Sequence, residues 1–331
     1  MGLLLVAAGC DGAGGQLVLG ACDVWDMPSL ERGVVDLAAG DHELDTLAEL
    51  GIGLARPHRP TGHVFAMNLV RPPEAEDFDW AGTDHVVGRA GRAGVRLFVT
   101  LVPFADPAEA TQAEPVHPVV RPEELEEWVG FVEAVVERYD GDGVDDMEGL
   151  DLAVYAWEVG NEPSCDPERP ACASSYLELV RETWEAAHRA DPEAVVLVGG
   201  AAPLFEPGGE PHPRVLATYE HFFANGGAEY TDAMGFHAYV GVTEPAVEDY
   251  VDAWRGLAGD LPLWLTETGP YAPGGEPAVA EDPADAAAWF VDHLDAAVDL
   301  GVERVFWCKA GGEWTEPAEV AEAVQEWVEE R

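Results

Sequence analysis

The chain has a single lysine, Lys309, and 17 basic residues against 64 acidic ones, for a formal charge of −47 over 331 residues. A surface so poor in cations repels nucleic acid and anionic membranes, and a neutral partner fits it best. No apolar run approaches the roughly 20 residues that a helical membrane span requires, so no integral span is expected. The five cysteines and ten histidines form no CxxC pair and no Cys/His ligand spacing. His58, His63, His85 and His117 are scattered, which speaks against zinc and against a barrel hydrolase that works through a metal. A glycine-rich phosphate turn is missing as well, because Gly12, Gly14 and Gly15 precede any strand. Neither a metal nor an organic cofactor is expected.

What remains is a foldable chain. Hydrophobic residues make up 47% of it, so the acid is a solvated surface and not a mark of disorder. Residues 150–163 form a short apolar run rich in Val, Tyr and Trp that breaks into Gly160, Asn161, Glu162 and Pro163. That reads as a buried strand with an amide and a carboxylate stranded at its end. Residues 261–271 repeat the pattern, with Glu267 ahead of Gly269 and Pro270. Further strands are expected at 53–57, 95–101, 194–199, 233–239 and 304–309, and a first one at either 17–25 or 33–37. Helical spacing marks 41–50, 78–94, 121–139, 174–190, 212–225, 245–257, 282–300 and 316–330.

Strands alternating with helices about eight times, with near-continuous apolar strands, point to a parallel sheet wrapped by helices. A single-domain (β/α)8 TIM barrel over residues 16–331, behind a tether at 1–15, is the natural closure. A doubly wound open sheet is the alternative, and it would want the missing phosphate turn.

Parallel β/α folds carry their active groups at strand C-termini. Here those ends offer Arg56, Asn161 with Glu162, His237 with Tyr239, Glu267, and Trp307. Each alone has a bland reading. Arg56 could be a surface cation, Gly-Asn-Glu-Pro a turn, His237 a core histidine, Tyr239 and Trp307 packing, and Glu267 a cap or ion pair. Together they make one chemical sense. Hydrolysis of an acetal needs one carboxylic acid to protonate the leaving oxygen and one carboxylate to attack or to activate water. Glu162 and Glu267 can supply that pair only if their strands belong to one closed sheet.

Trp-Glu-Val-Gly-Asn-Glu-Pro (157–163), Phe-His-Ala-Tyr (236–239), Leu-Thr-Glu-Thr-Gly (265–269) and Val-Phe-Trp (305–307) resemble the corresponding strands of clan A retaining glycoside hydrolases. The nearest types are the cellulase-like and xylosidase/iduronidase-like families. The resemblance implies that Glu162 is the acid/base and Glu267 the nucleophile, on the fourth and seventh strands. It implies that Asn161 binds the sugar 2-hydroxyl and that Trp307 is the floor on which a pyranose stacks. An adjacent cation and a donated hydrogen bond favour the charged form of a carboxyl, and a neighbouring carboxylate favours the protonated form. Arg56 and Tyr239 would thus keep Glu267 ionised, Glu267 would keep Glu162 protonated, and His237 would tune the cycle. The third strand departs from the cellulase-like pattern, ending Thr100, Leu101, Val102, Pro103, Phe104 without that family's histidine. Loops 61–80 and 311–314 would shape further subsites. The expected activity is retaining hydrolysis of a neutral β-linked oligo- or polysaccharide. The alternative is a non-catalytic carbohydrate-binding or cell-surface protein on the same barrel.

Residues 1–10, MGLLLVAAGC, resemble the tail of a bacterial lipoprotein signal with Cys10 as the lipidated residue, a truncated start being the alternative. The other four cysteines, Cys22, Cys165, Cys172 and Cys308, permit three pairings. Cys165 and Cys172 share a Pro-rich loop just after Glu162, where export would allow a disulfide and a reducing compartment would leave two thiols. An extracytoplasmic monomer, secreted or lipid-anchored, is expected, with no role assigned to Lys309.

The acidic surface suits a salt-rich habitat or merely an acidic proteome, and a melt separates the two. Going from about 0.01 M to about 1 M KCl shortens the screening length from about 30 to about 3 Å. A salt-adapted surface should then gain more than about 5 °C in Tm as its self-repulsion is screened. A melting point indifferent to KCl, read by circular dichroism, rules out salt adaptation.

Overall fold

The computed structural model describes residues 18–22, 41–57, 64–72, 75–103, 125–168, 170–206, 209–239, 246–269, 283–308 and 318–330. Cys10, Lys309 and residues 311–314 lie outside them. Eight parallel strands close one barrel in chain order: β1 (Val18–Cys22), β2 (Leu54–Arg56), β3 (Arg96–Leu101), β4 (Ala156–Asn161), β5 (Val196–Ala201), β6 (Ala233–Ala238), β7 (Leu263–Thr268) and β8 (Arg304–Cys308). Strand β8 pairs back onto β1, with Val18 opposite Arg304 and Cys22 opposite Cys308. The sheet therefore has no edge to protect. Of the two segments that could open the sheet, the 17–25 stretch supplies β1.

The described helices are α1 (Asp41–Glu49), α2 (Met67–Val70), α3 (Ala81–Ala93), α4 (Leu125–Tyr139), α5 (Pro170–Ala190), α6 (Pro213–Ala224), α7 (Val247–Ala258), α8 (Pro283–Asp299) and α9 (Ala318–Glu329). Helix α5 begins at Pro170 and not at Ser174, because a proline in the first turn gives up an N–H that has no helical partner anyway. Helix α2 and a 3-10 turn at Gly227–Tyr230 are too short to show a period in the sequence. Helix α4 shows how the longer ones are held. It buries Trp128, Phe131, Val132, Val135, Val136 and Tyr139 along one stripe, and Trp128 donates its indole N–H to Thr183 of α5 at 2.8 Å. No helix among the described residues is long and apolar enough to cross a membrane.

Two apolar layers result. The larger lies between strands and helices. The smaller plugs the barrel itself, with Leu54, Phe98, Ala156, Leu197, Ala233, Trp264 and Phe306. Side chains on a strand return to the same face every two residues. Two residues beyond Leu54, Phe98 and Ala156 come Arg56, Thr100 and Glu158, all buried, so a polar layer sits directly on the apolar plug. The pairings β5–β6, β6–β7 and β7–β8 all slip in register near their C-terminal ends. Such irregularities re-aim side chains, and after the slip His237 stands opposite Glu267.

At the opposite end the barrel is closed by charge and aromatic stacking. Arg96 and Arg304 both lie over the Tyr155 ring, at 5.0 and 5.8 Å. Nearby, the turn from α4 into β4 satisfies its own backbone: the Asp146 carboxylate accepts from the N–H groups of Gly141 and Gly143.

Helix α8 ties the seventh strand to the outer layer through His293. The Thr268 hydroxyl donates to the Ala238 carbonyl at 2.8 Å, so at 2.9 Å it accepts from His293 Nε2. The imidazole is neutral there, and burial pushes it from an ordinary 6.5 down to about 4. Because the unfolded chain takes up a proton that folded His293 refuses, stability falls as pH drops from 6.5 and the loss is complete below about 4. The shift corresponds to about 3 kcal/mol in total. Urea melts at pH 7 and pH 5 should show about 2 kcal/mol of this loss in the parent and a smaller one in His293→Gln, and equal losses would discard the assignment.

Candidate active site

The polar layer converges on one guanidinium. Arg56, at the end of β2, is wholly buried and divides its donors among three residues. Nη1 donates to Glu267 Oε1 at 2.7 Å. Nε donates to Glu158 Oε2 at 3.0 Å, and Nη2 donates both to Glu158 and to Asn161 Oδ1 at 2.9 Å. Burial alone would pull this group down, but the charges of Glu158 and Glu267 outweigh it and hold Arg56 above its ordinary range. It is a permanent cation at the mouth of the barrel.

Glu158 is a member of the layer that the strand-end pattern did not reveal. Its Oε2 also accepts from the Thr100 hydroxyl at 2.6 Å, and its Oε1 accepts from the Gly200 N–H at 2.9 Å. It thus accepts from four donors and has no exposure. The strand register puts Thr100 and Glu158 side by side.

Glu267 receives the Tyr239 hydroxyl on its other oxygen. His237, fully buried on β6, faces both acids. Its Nδ1 is 2.9 Å from Glu162 Oε1, and its Nε2 is 3.5 Å from Glu267 Oε1. Ligand atoms of Glu162, His237 and Glu267 all lie within 4.8 Å of one another. The same spacing could offer three ligands to a cation, but Arg56 already brings a positive charge into contact with Glu267.

Local backbone explains how Glu162 reaches this point. Strand β4 turns out of the sheet through Gly160 at φ 77° and Glu162 itself at φ 49°. Glu162 is anchored by its N–H, which donates to the Gly200 carbonyl at 2.8 Å. The left-handed region is unusual for a residue with a side chain and costs of order 1 kcal/mol, so the turn is held by its surroundings. The disulfide between Cys165 and Cys172 closes the following loop onto α5, and the Cys165 N–H donates to Thr218 of α6 at 2.7 Å. The side chain of Glu162 is 37% exposed against 10% for Glu267. Glu162 is thus the more accessible of the two acids.

Gly200 makes room for all of this. A Cβ there would stand 2.4 Å from His237 Nε2, 2.6 Å from Thr266 Oγ1 and 2.9 Å from Glu158 Oε1. No side chain fits without displacing a member of the layer.

Of the residues named from the sequence, Arg56, Asn161, Glu162, His237, Tyr239 and Glu267 meet in one cluster. Trp307 is placed differently. It is buried, with its ring edge-on to Phe290 at 4.1 Å and near Trp289 at 5.9 Å, both on α8. Alternation explains it: Phe306 points into the barrel plug, so its neighbour turns toward the helices. The same parity was the signal for Glu158, which shares its face of β4 with Ala156.

No protein-family model and no curated protein sequence matches the chain. Solved structures do. A glucosidase from Croceicoccus marinus superposes with a TM-score of 0.65 at 18% identity, over 94% of this chain and 66% of that one. This chain thus spans about two thirds of the glucosidase's length. An endo-1,4-β-mannanase from Rhizomucor miehei gives 0.64 at 13% identity, over 98% and 97%. An endo-β-1,4-mannanase from Thermotoga petrophila gives 0.61 at 15%, over 95% and 76%. What these likenesses show is the fold: the chain is a single (β/α)8 barrel of the kind these glycoside hydrolases share.

Proposed function

We propose that the protein is a retaining glycoside hydrolase that cleaves a β-glycosidic bond in a neutral oligo- or polysaccharide. The observation that carries this reading is the closeness of Glu162 and Glu267, with one carboxylate oxygen of each within 4.8 Å of the other. Retaining enzymes hold their two carboxyl groups about 5–5.5 Å apart, whereas inverting ones need about 6.5–9.5 Å to admit a water between them.

In this scheme a Glu267 oxygen attacks the anomeric carbon as the bond to the leaving oxygen breaks, and the Glu162 proton passes to that oxygen. The result is a glycosyl ester on Glu267 and a neutral alcohol. Water then enters, Glu162 takes its proton, and the new oxygen bond at the anomeric carbon frees Glu267 as a carboxylate. Arg56 and Tyr239 fix the two Glu267 oxygens, so attack needs no reorientation. His237 bridges the two acids and is placed to keep Glu162 turned toward the leaving group. The Asn161 carbonyl oxygen accepts from Arg56, which orients the side-chain amide, and its nitrogen is the end that would meet a sugar 2-hydroxyl.

The charge of −47 favours an uncharged substrate over a uronic acid polymer. The structural neighbours include a glucosidase, mannanases and β-galactosidases, so β-linked glucosides, mannans and galactosides are the first substrates to try. The Cys165–Cys172 disulfide supports a site of action outside the reducing cytoplasm.

Replacing Glu267 by Gly should lower turnover of aryl β-glycosides on the order of 10³-fold or more. Added azide should rescue that variant and yield the inverted α-glycosyl azide, whereas Glu162→Ala with azide should yield the β-anomer, both read by proton NMR. Undiminished turnover in Glu267→Gly would remove it as nucleophile. Glycan binding without hydrolysis across a broad panel would indicate a binding protein on the same barrel.

A further inference from the structure

Glu158 is a third carboxylate in the layer, and nothing in the double-displacement scheme uses it. It carries no exposed surface, so it touches no substrate. Burying a charge to no purpose is costly, and this one accepts from Arg56 twice, from Thr100 and from the Gly200 N–H. We propose that Glu158 is a positioning residue that sets how much of the Arg56 charge reaches Glu267. The inference rests on the nucleophile role given to Glu267.

One cation is divided between two acids. Arg56 presents Nε and Nη2 to Glu158 and only Nη1 to Glu267. Two carboxylates and one guanidinium leave this buried group with one net negative charge. Were Arg56 to belong to Glu267 alone, the carboxylate would be a better-stabilised ion and a poorer attacker. Glu158 draws the guanidinium away, and Thr100 and the Gly200 N–H moderate that pull by sharing the Glu158 charge. A tug between two acids thus sets the basicity of the one that reacts.

Glu158 is faced by Arg56 from β2, Thr100 from β3, Gly200 from β5, and His237 and Thr266 where they crowd Gly200. From the helices, Tyr176 and Tyr219 lie close enough that its charge adds to burial in pushing their hydroxyls up. Glu267 is faced by Arg56, Tyr239 and His237, and Glu162 lies behind His237.

The test is a carbon-13 NMR titration of protein labelled at the glutamate carboxyls, with the Glu267 signal assigned by its loss in Glu267→Gln. In Glu158→Gln the whole Arg56 charge falls on Glu267, so its midpoint should move down by on the order of one pH unit. Thr100→Val leaves both acids and Arg56 in place but strips a donor from Glu158. Arg56 is then drawn harder toward Glu158, and the Glu267 midpoint should move up by a few tenths of a unit. The acid limb of kcat/KM should follow the same opposite directions, with KM within about twofold of the parent. A residue that only props up the fold would lower activity and Tm in both variants without moving either midpoint, and that result overturns the proposal. Should Glu158→Gln not fold, an unmoved midpoint in Thr100→Val overturns it alone. The titration reads Glu267 whether or not the chain hydrolyses glycosides, whereas failed azide rescue would end the proposed function and leave the titration standing.

Discussion

Arg56 brings a permanent charge into a part of the barrel that water does not reach, and two carboxylates from opposite walls meet it there. Stripping a guanidinium of its hydration costs several kcal/mol, recovered only when its donors are matched. They are matched across β2, β4 and β7, so closing the barrel and assembling the site are one event. The dependence runs both ways. Removing Arg56 would leave two buried carboxylates without their cation, a kind of loss that in other proteins costs about 3–5 kcal/mol. A chain with only 17 basic residues commits one of them to the centre of its own fold.

The layer below makes that commitment possible. Phe98 packs against Phe306 and Trp264 with ring centroids 4.9 and 5.6 Å away, and the Arg56 guanidinium lies 5.7 Å from the Phe98 ring. The plug keeps water from entering from beneath, and the aromatic face offers the cation a favourable surface. Above, Gly200 is where strand, acid and imidazole come closest. Precision comes from crowding: each polar group has few places to go because its neighbours already occupy the others.

Much of this was legible in the sequence, for identifiable reasons. Glu162 and Glu267 stand where apolar runs break into Gly and Pro, and a carboxylate in such a place adds nothing to packing. The alternation of elements gave the barrel, since buried parallel strands are apolar throughout. Glu158 escaped because it lies inside its strand. Recognising it requires knowing which parity faces the barrel axis, and that becomes clear only when Leu54, Phe98 and Ala156 are seen on one level. Trp307 was misplaced by the same missing information: an aromatic at a strand's end can face a cleft or a helix, and a one-residue step decides. The left-handed turn at Glu162 had no signature either, because Gly-Asn-Glu-Pro announces a turn and not its handedness. The spacing of Cys165 and Cys172 allowed a disulfide but left the pairing open, and the helix that begins at Pro170 carries Cys172.

The positive φ of Glu162 sets local comfort against chemistry. Glycine would sit in that conformation without strain, yet it would erase the carboxyl group that the proposed reaction needs. Evolution under heat or denaturant alone would therefore reward the loss of this side chain, and a library sorted only for robust folding should fill with inert survivors at position 162. Engineers who want a hardier barrel from this chain have to score each candidate on sugar release as well as on endurance, or the gain will be bought with the function.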